Sequence, residues 1–250
     1  MKIGITERGD AGLDLRWTCS INNVNGAILI TKAITPEFIR AVMTCRTPIV
    51  VHCTCTGYGG SVLEPGAPTP QTQLQRAKEL VEAGFPASNL VLRVDPIFPS
   101  DKGLAKAKAV LNAYRDMGLN NRVRVSIVDE YPHVRQRYAE RGWPTLYGGN
   151  FYPNEEQVAR VAYLFKEYPM FQFETCAEHR LAQIGRAIGV NIKAQGCISN
   201  EDLKVMGLPA LNCGVNPQNR SGCLCLAPKT ELLTKRGRCA NSCVYCFWKG

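Results

Sequence analysis

Three cysteines, Cys239, Cys243 and Cys246, stand close together near the end of the chain in the run RCANSCVYCF, spaced C-x3-C-x2-C. Three thiolates on so short a loop suit three irons of a cubane 4Fe–4S cluster and leave the fourth iron without a protein ligand. That open corner separates a reactive cluster from an electron-transfer cluster, which takes four cysteines. Two other readings of the triplet stand beside this one: a zinc site, or a conventional cluster completed by a fourth cysteine from elsewhere. Zinc ribbons favour two separated C-x2-C pairs, and the chain has no such arrangement. Counting the protein ligands at this loop discriminates between an open, reactive cluster and a closed one.

Further chemistry-bearing residues recur where short apolar runs end. Thr31-Lys32 follows the run Ala27–Ile30, and His52-Cys53-Thr54-Cys55-Thr56-Gly57-Tyr58-Gly59-Gly60 follows Ile49–Val51. Arg93 and Asp95 close Leu90–Val94; Ser126, Asp129 and Tyr131 close Val123–Val128; Thr175-Cys176-Ala177-Glu178 closes Phe171–Phe173. One such residue alone reads as a helix cap or a structural ion pair. The same polar ending on successive runs predicts a polar mouth at one end of a barrel, where (β/α) barrels keep their active sites. His133, just after Tyr131-Pro132, is a candidate for proton transfer, with Tyr131 beside it. His52 and His179 read as satisfied structural histidines. Cys19, Cys45, Cys53 and Cys55 read as core or loop thiols.

The elements that must position these groups alternate along the chain. The apolar runs, with weaker ones at Lys2–Ile5 and Val190–Ala194, are short and rich in Val and Ile, as buried parallel strands are. Amphipathic stretches lie between them: Pro36–Met43 behind a Thr35 cap, Gln71–Ala83 ending before Gly84, Leu104–Met117, Glu155–Lys166, and Glu178–Ile188 ending before Gly189. This alternation predicts an α/β fold, a complete or partial (β/α) TIM-type barrel. The stretch Arg141–Pro153, rich in Gly and aromatic residues, is a candidate lid. From Leu208 the periodicity fades, with one further strand expected at Glu231–Thr234. The reading is therefore one integrated domain: a barrel core over residues 1–207 and a cysteine-bearing tail over 208–250 that packs on the barrel mouth.

A chain of 250 residues, 45% hydrophobic and 20% charged, is ordinary for a globular protein with a large core. No apolar run approaches the roughly 18 residues of a membrane span, and the opening MKIGITERGD lacks the apolar stretch of a signal peptide. These features predict a soluble protein of the cytoplasm, in a bacterium or a phage-infected cell, with no membrane partner. Twelve cysteines there point to metal or cluster ligation rather than disulfides. The net charge of +9 suits a polyanionic partner such as nucleic acid, although no Lys/Arg block sharpens it.

The ordered set of motifs resembles a family of uncharacterised bacterial and phage proteins with a radical S-adenosylmethionine (radical SAM)-like cysteine cluster at the C-terminus. The matching pieces are Arg8-x-Asp10, Thr31-Lys32, Thr56-Gly57-Tyr58-Gly59 with Glu64-Pro65, and Arg93-x-Asp95-Pro96-Ile97. Further along come Val128-Asp129-x-Tyr131, Cys176-Ala177-Glu178, Gly196-Cys197-Ile198, Gln218-x-Arg220 with Cys223-x-Cys225, and the terminal triplet with Tyr245 before its last cysteine. The resemblance spans nearly the whole chain. It departs at Glu7–Gly12, where the family more often has a Ser-Arg-Arg-Thr-Asp-Ile-Pro type run, and matches loosely over Thr230–Gly237.

The resemblance implies that Cys239, Cys243 and Cys246 hold a 4Fe–4S cluster whose open iron is chelated by the methionyl group of S-adenosylmethionine. It implies reductive cleavage to a 5′-deoxyadenosyl radical that abstracts hydrogen from substrate. Tyr245 and Phe247 would pack around cluster and adenine. Arg8, Lys32 and Arg93 are candidates for the methionyl carboxylate; Asp10, Asp95, Asp129 and Glu178 are candidate acceptors for its amine and the ribose hydroxyls. Cys176, Cys197, Cys223 and Cys225 recur together in the resemblance and imply a second, auxiliary 4Fe–4S cluster, with Cys213 a competitor for one position. The expected substrate is a nucleic-acid base or nucleotide derivative, DNA first, modified or isomerised; a small metabolite or peptide is the alternative. An external reductant such as flavodoxin or ferredoxin is expected. The rival reading is a non-catalytic iron–sulfur protein that transfers electrons or binds nucleic acid.

Overall fold

The computed structural model describes residues 1–212, 222–233 and 239–248. Strands and helices alternate along it. The strands are β1 (Ile3–Ile5), β2 (Gly26–Thr31), β3 (Ile49–Thr54), β4 (Leu90–Ile97), β5 (Arg122–Ile127), β6 (Gln172–Thr175), β7 (Ile192–Ala194) and β8 (Lys229–Glu231). The helices are α1 (Pro36–Thr44), α2 (Pro70–Glu82), α3 (Asp101–Met117), α4 (Pro132–Ala139), α5 (Glu155–Lys166), α6 (His179–Ala187) and α7 (Asn200–Val205). Local chemistry starts and stops them. Thr35, Thr69 and Ser100 cap α1, α2 and α3 by accepting a backbone N–H from the first turn. Gly118 ends α3 at φ 62°.

All strands are parallel, in the order β7-β6-β5-β4-β3-β2-β1-β8. From β1 to β7 neighbours in sequence are neighbours in the sheet, so right-handed crossovers put α1, α2, α3, α5 and α6 on one face, whereas β8 joins the β1 edge. On that outer face Ala27, Leu29, Ile49, Val51 and Cys53 pack with Phe38 and Val42 of α1 and Leu80 of α2. Farther along, Leu92, Val94, Val123 and Phe173 pack against α3, α5 and α6. The alternate residues face inward. At the β1–β4 end these are Ile3, Ile5, Ile28, Val50 and Val91, covered by Leu203 and Met206 from α7 and its C-terminal turn, and by Cys197 and Cys225. At the β5–β6 end they are charged. Arg122 pairs with Glu174 at 2.8 Å and Asp202 at 2.8 Å, and Arg124 with Glu174 at 2.6 Å, which ties β5, β6 and α7 together.

No pairing between β7 and β8 joins the two edges among the described residues. The fold is thus a single eight-stranded parallel α/β sheet. No helix among the described residues is long and apolar enough to cross a membrane.

Two helices lie outside the sequence expectation. α4 is short and carries His133, Arg135 and Arg137, so its apolar stripe is only Val134 and Tyr138. α7 has six residues, but its Ser199–Asp202 capping box was legible. The eighth strand ends at Glu231 rather than starting there; Thr234 lies outside the described residues. Because β8 pairs with β1, the C-terminal section is part of the sheet and not only a cap on it.

Candidate functional site

The loop carrying Cys239, Cys243 and Cys246 is seated at the carboxyl ends of β1, β2 and β3 by polar contacts on both sides of Cys243. Asn241 donates its side-chain N–H to Asp10 Oδ2 at 2.6 Å. Asp10, buried just beyond β1, also accepts from Thr31 Oγ1 (2.6 Å), Lys32 N (2.7 Å) and Gly12 N (2.9 Å). The Tyr245 hydroxyl donates to Glu64 Oε1, which also takes the Thr56 hydroxyl at 2.7 Å and the Lys32 ammonium at 2.9 Å. Lys32 Nζ reaches the Tyr245 oxygen at 3.0 Å. Backbone bonds zip the loop to the segment after β3: Gly66 N to Asn241 O at 3.2 Å and Val244 N to Leu63 O at 3.0 Å. Gly66 allows this, since a Cβ there would lie 1.9 Å from the Ala240 carbonyl oxygen.

Arg137 of α4 holds the end of the loop by donating to the carbonyls of Cys246 (2.7 Å), Val244 (3.3 Å) and Trp248 (2.8 Å). His133 Nε2 lies 3.3 Å from the Cys246 carbonyl. Tyr245 packs edge-on against Phe98, which packs edge-on against Tyr58, so an apolar wall backs the loop.

The three sulfurs act on one another electrostatically. Burial pushes the Cys243 thiol up to about 12, Lys32 pulls it down, and Glu64, Cys246 and Cys239 push it further up. Burial likewise raises Cys239. Burial works against the Lys32 ammonium, but Glu64, Cys243 and Asp95 outweigh it and hold its pKa above the lysine norm. Metal binding at thiols such as Cys239 and Cys243 would release their protons. The donor set is all sulfur, which suits iron–sulfur or soft-metal ligation rather than a hard cation. Among the described residues no three His, Cys, Asp or Glu side chains converge on one metal ion.

Arg93 and Asp95 pair on the inner face, Nε to Oδ2 at 2.7 Å, and Ser126 donates to the same carboxylate. Burial would raise the Asp95 carboxyl, but Arg93 and Ser126 hold it below the usual range. The Arg93 Nη1 group is buried without a hydrogen-bond partner. Glu178 accepts Ile127 N at 3.1 Å, and Asp129 lies near the buried Tyr147 phenol. Arg8 is exposed and sits 5.8 Å over the Trp248 ring. The Tyr131 ring touches those of His133, Phe151 and Phe247.

A second sulfur group lies on the inner face. Cys176, Cys197 and Cys225 hydrogen-bond to one another, and Cys176 and Cys223 flank the apolar cluster that holds Cys197 and Cys225. The Cys176 contact and burial push Cys197 up to about 11. Lys229, Arg93 and Arg124 act on Cys197 from around it. Gly196 makes the approach: a Cβ there would lie 2.3 Å from Cys225 N, and Leu226 N bonds Ile198 O at 3.1 Å. Ala177, at φ 60°, turns the chain between Cys176 and Glu178. Cys213, Gln218 and Arg220 lie outside the described residues.

His52 departs from its expected role. It is fully buried, and both ring nitrogens lack a partner. Burial, with Arg124 and Arg93 nearby, drives its pKa well down, so the ring is neutral. Cys53 and Cys55 are buried on the outer face, as core thiols. Sequence reasoning missed Asn241, Arg137 and Lys229, and gave Glu64 no role. Asn241 lies inside the triplet, where a clasp was legible; Arg137 carries no local signal, since its partners are more than a hundred residues away.

The family model described as a domain of unknown function, DUF1848, matches residues 15–248. No curated protein matches the chain.

Proposed function

We propose that this chain, which belongs to the DUF1848 family, is a radical S-adenosylmethionine enzyme built on a partial (β/α) barrel, with its cluster loop supplied by the C-terminal tail. One observation carries the reading: a loop with three grouped sulfurs is clasped by Asn241–Asp10 and Tyr245–Glu64 across the carboxyl ends of β1–β3, the end at which such sheets bind ligands. A 4Fe–4S cluster there, with S-adenosylmethionine bound, supplies reductive cleavage of the sulfonium C–S bond and hydrogen abstraction from a substrate carbon.

The chain's own residues divide the remaining work. Arg93, with its unpartnered buried Nη1, is the best candidate for the methionyl carboxylate; Lys32 is already committed to Glu64 and Tyr245, and Arg8 to the Trp248 ring. Asp10 takes four donors and acts as the clasp; Asp95, Asp129 and Glu178 are the acids proposed for ribose and amine. Tyr58, Phe98 and Tyr245 exclude water from the inner side of the loop. His133 and Tyr131, which lie against Cys246 and Phe247, are the residues proposed for proton transfer. Cys176, Cys197, Cys223 and Cys225 would hold an auxiliary cluster, with Lys229 and Arg124 offsetting its negative charge. The net charge of +9 favours a nucleic-acid base or nucleotide derivative as substrate, with a flavodoxin or ferredoxin as reductant.

Anaerobic reconstitution followed by dithionite and S-adenosylmethionine should yield 5′-deoxyadenosine. An intact cluster that gives none sinks the enzyme reading. Iron counts on the Cys239→Ala/Cys243→Ala/Cys246→Ala protein test the auxiliary cluster, which predicts about four retained irons; none retained removes it.

A further inference from the structure

Beside the cluster loop, five aromatic rings form a continuous row. Trp248 neighbours Phe247 at 4.9 Å between centroids, Phe247 neighbours Tyr131 at 6.4 Å, Tyr131 neighbours Phe151 at 4.8 Å, and Phe151 neighbours Tyr152 at 4.5 Å. Phe247 is 50% exposed and Tyr152 67% exposed, an unusual cost for large aromatics on a folded surface. The row ends at a cavity of about 540 Å³ lined by Tyr147, Asn150, Phe151, Tyr152, Asn154 and Gln157, large enough for one nucleoside. The cavity wall is fixed: Glu130 N bonds Phe151 O at 3.0 Å, Leu146 N bonds Glu130 Oε1 at 2.7 Å, and the Tyr147 hydroxyl bonds Val128 O at 2.7 Å. The stretch expected to be a lid is therefore tied to the end of β5.

Two cations flank the row. Arg8 lies over Trp248, and Arg135 reaches Asn150 O at 3.4 Å beside the cavity. Of the acidic groups close to them, Glu7 pairs with Lys229 at 2.6 Å, while Glu130 is buried, takes Leu146 N and lies 3.7 Å from Arg135 Nε, which leaves the Arg135 Nη groups to face outward contacts such as Asn150 O. A row of rings exposed at Phe247 and Tyr152 and half-buried between and beyond them, with arginines beside it, suits single-stranded nucleic acid, whose bases stack on the rings while its phosphates meet the cations. A duplex hides its base faces, and an acidic protein would need the cations but not the bare rings.

We propose that the row Trp248–Phe247–Tyr131–Phe151–Tyr152 is a stacking track for single-stranded nucleic acid, with the adjoining cavity receiving one unstacked base. This deepens the substrate reading above and rests on it, but the two fail separately.

The test is fluorescence anisotropy of a labelled twelve-nucleotide single strand with the full chain at low salt. We expect Tyr152→Ala and Phe247→Ala each to weaken binding about tenfold or more, as loss of one stacked base does, and Tyr152→Phe to retain it. Log affinity should fall against log salt with a slope of about −1.4, for the two arginines Arg8 and Arg135. Equal affinity for duplex and single strand, or alanine variants within twofold of the parent, overturns the track. So does a Tyr152→Ala protein that binds strand normally but is reduced more slowly by flavodoxin, since the surface then serves an acidic carrier. A chain that makes 5′-deoxyadenosine but binds no strand keeps its chemistry and loses this proposal; one that binds strand but makes none does the reverse.

Discussion

Replacing Gly66 by alanine isolates the seat of the cysteine loop from the sheet beneath it. The added methyl would lie 1.9 Å from Ala240 O, 2.9 Å from Ala240 C and 3.0 Å from Asn241 Cα, all backbone atoms that cannot rotate away. The two segments must part by about 1.1 Å to reach the 3.0 Å that real Cβ contacts respect. Staying seated costs the strain of overpacking, about 1–3 kcal/mol. Lifting costs two backbone bonds at about 1 kcal/mol each and the Asn241–Asp10 bond at about 2 kcal/mol. The loop takes the cheaper route, so its opening free energy falls by about 1–3 kcal/mol, up to roughly a hundredfold in the open population. Amide hydrogen exchange reads this directly. The Val244 amide, bonded to Leu63 O at 3.0 Å, should lose up to about a hundredfold of its protection, while amides of β3 and β4 keep theirs. Protection at Val244 within threefold of the parent protein would refute the reasoning, because the loop would then not be held by this contact.

Asn241→Ala leaves Asp10 one donor short and should lower loop stability by about 2 kcal/mol; equal iron retention after dialysis against chelator in variant and parent would contradict it. Gly196→Ala puts a methyl 2.3 Å from Cys225 N and should separate Cys197 from Cys225; thiol crosslinking of that pair by a short bifunctional reagent should fall, and an unchanged yield counts against the packing. Burial would raise the Glu174 carboxyl, but Arg124 and Arg122 hold it down at about 2 against an ordinary 4.5. That depressed pKa contributes about 3 kcal/mol of stability above about pH 4.5, lost as pH falls toward about 2; a urea midpoint flat across that window would show that the pairing with Arg122 and Arg124 does not stabilise the fold.

The period of the chain was enough to place most strands and helices, because buried parallel strands are short runs of Val and Ile and their helices carry caps beside apolar stripes. Glu155–Lys166 falls where the pattern puts it, behind its Asn154–Gln157 box. The C-x3-C-x2-C spacing likewise needs no fold to be seen. What a one-dimensional pattern cannot hold is which distant groups meet. Arg137 looks like any surface arginine on a polar helix, yet three carbonyls of the cysteine loop end on it. Asp10 looks like a ligand-binding acid, and the fold spends it on Asn241 and the β2 terminus. His52 reads as satisfied and proves to be a neutral ring buried near Arg93 and Arg124. The cysteine triplet, the alternating elements and the basic balance are therefore properties of the sequence by itself. The gathering of Cys176, Cys197 and Cys225, the seat of the terminal loop and the exposed aromatic row were decided by the tertiary structure, because burial, charge pairing and ring contact act between residues that only the folded sheet brings within reach.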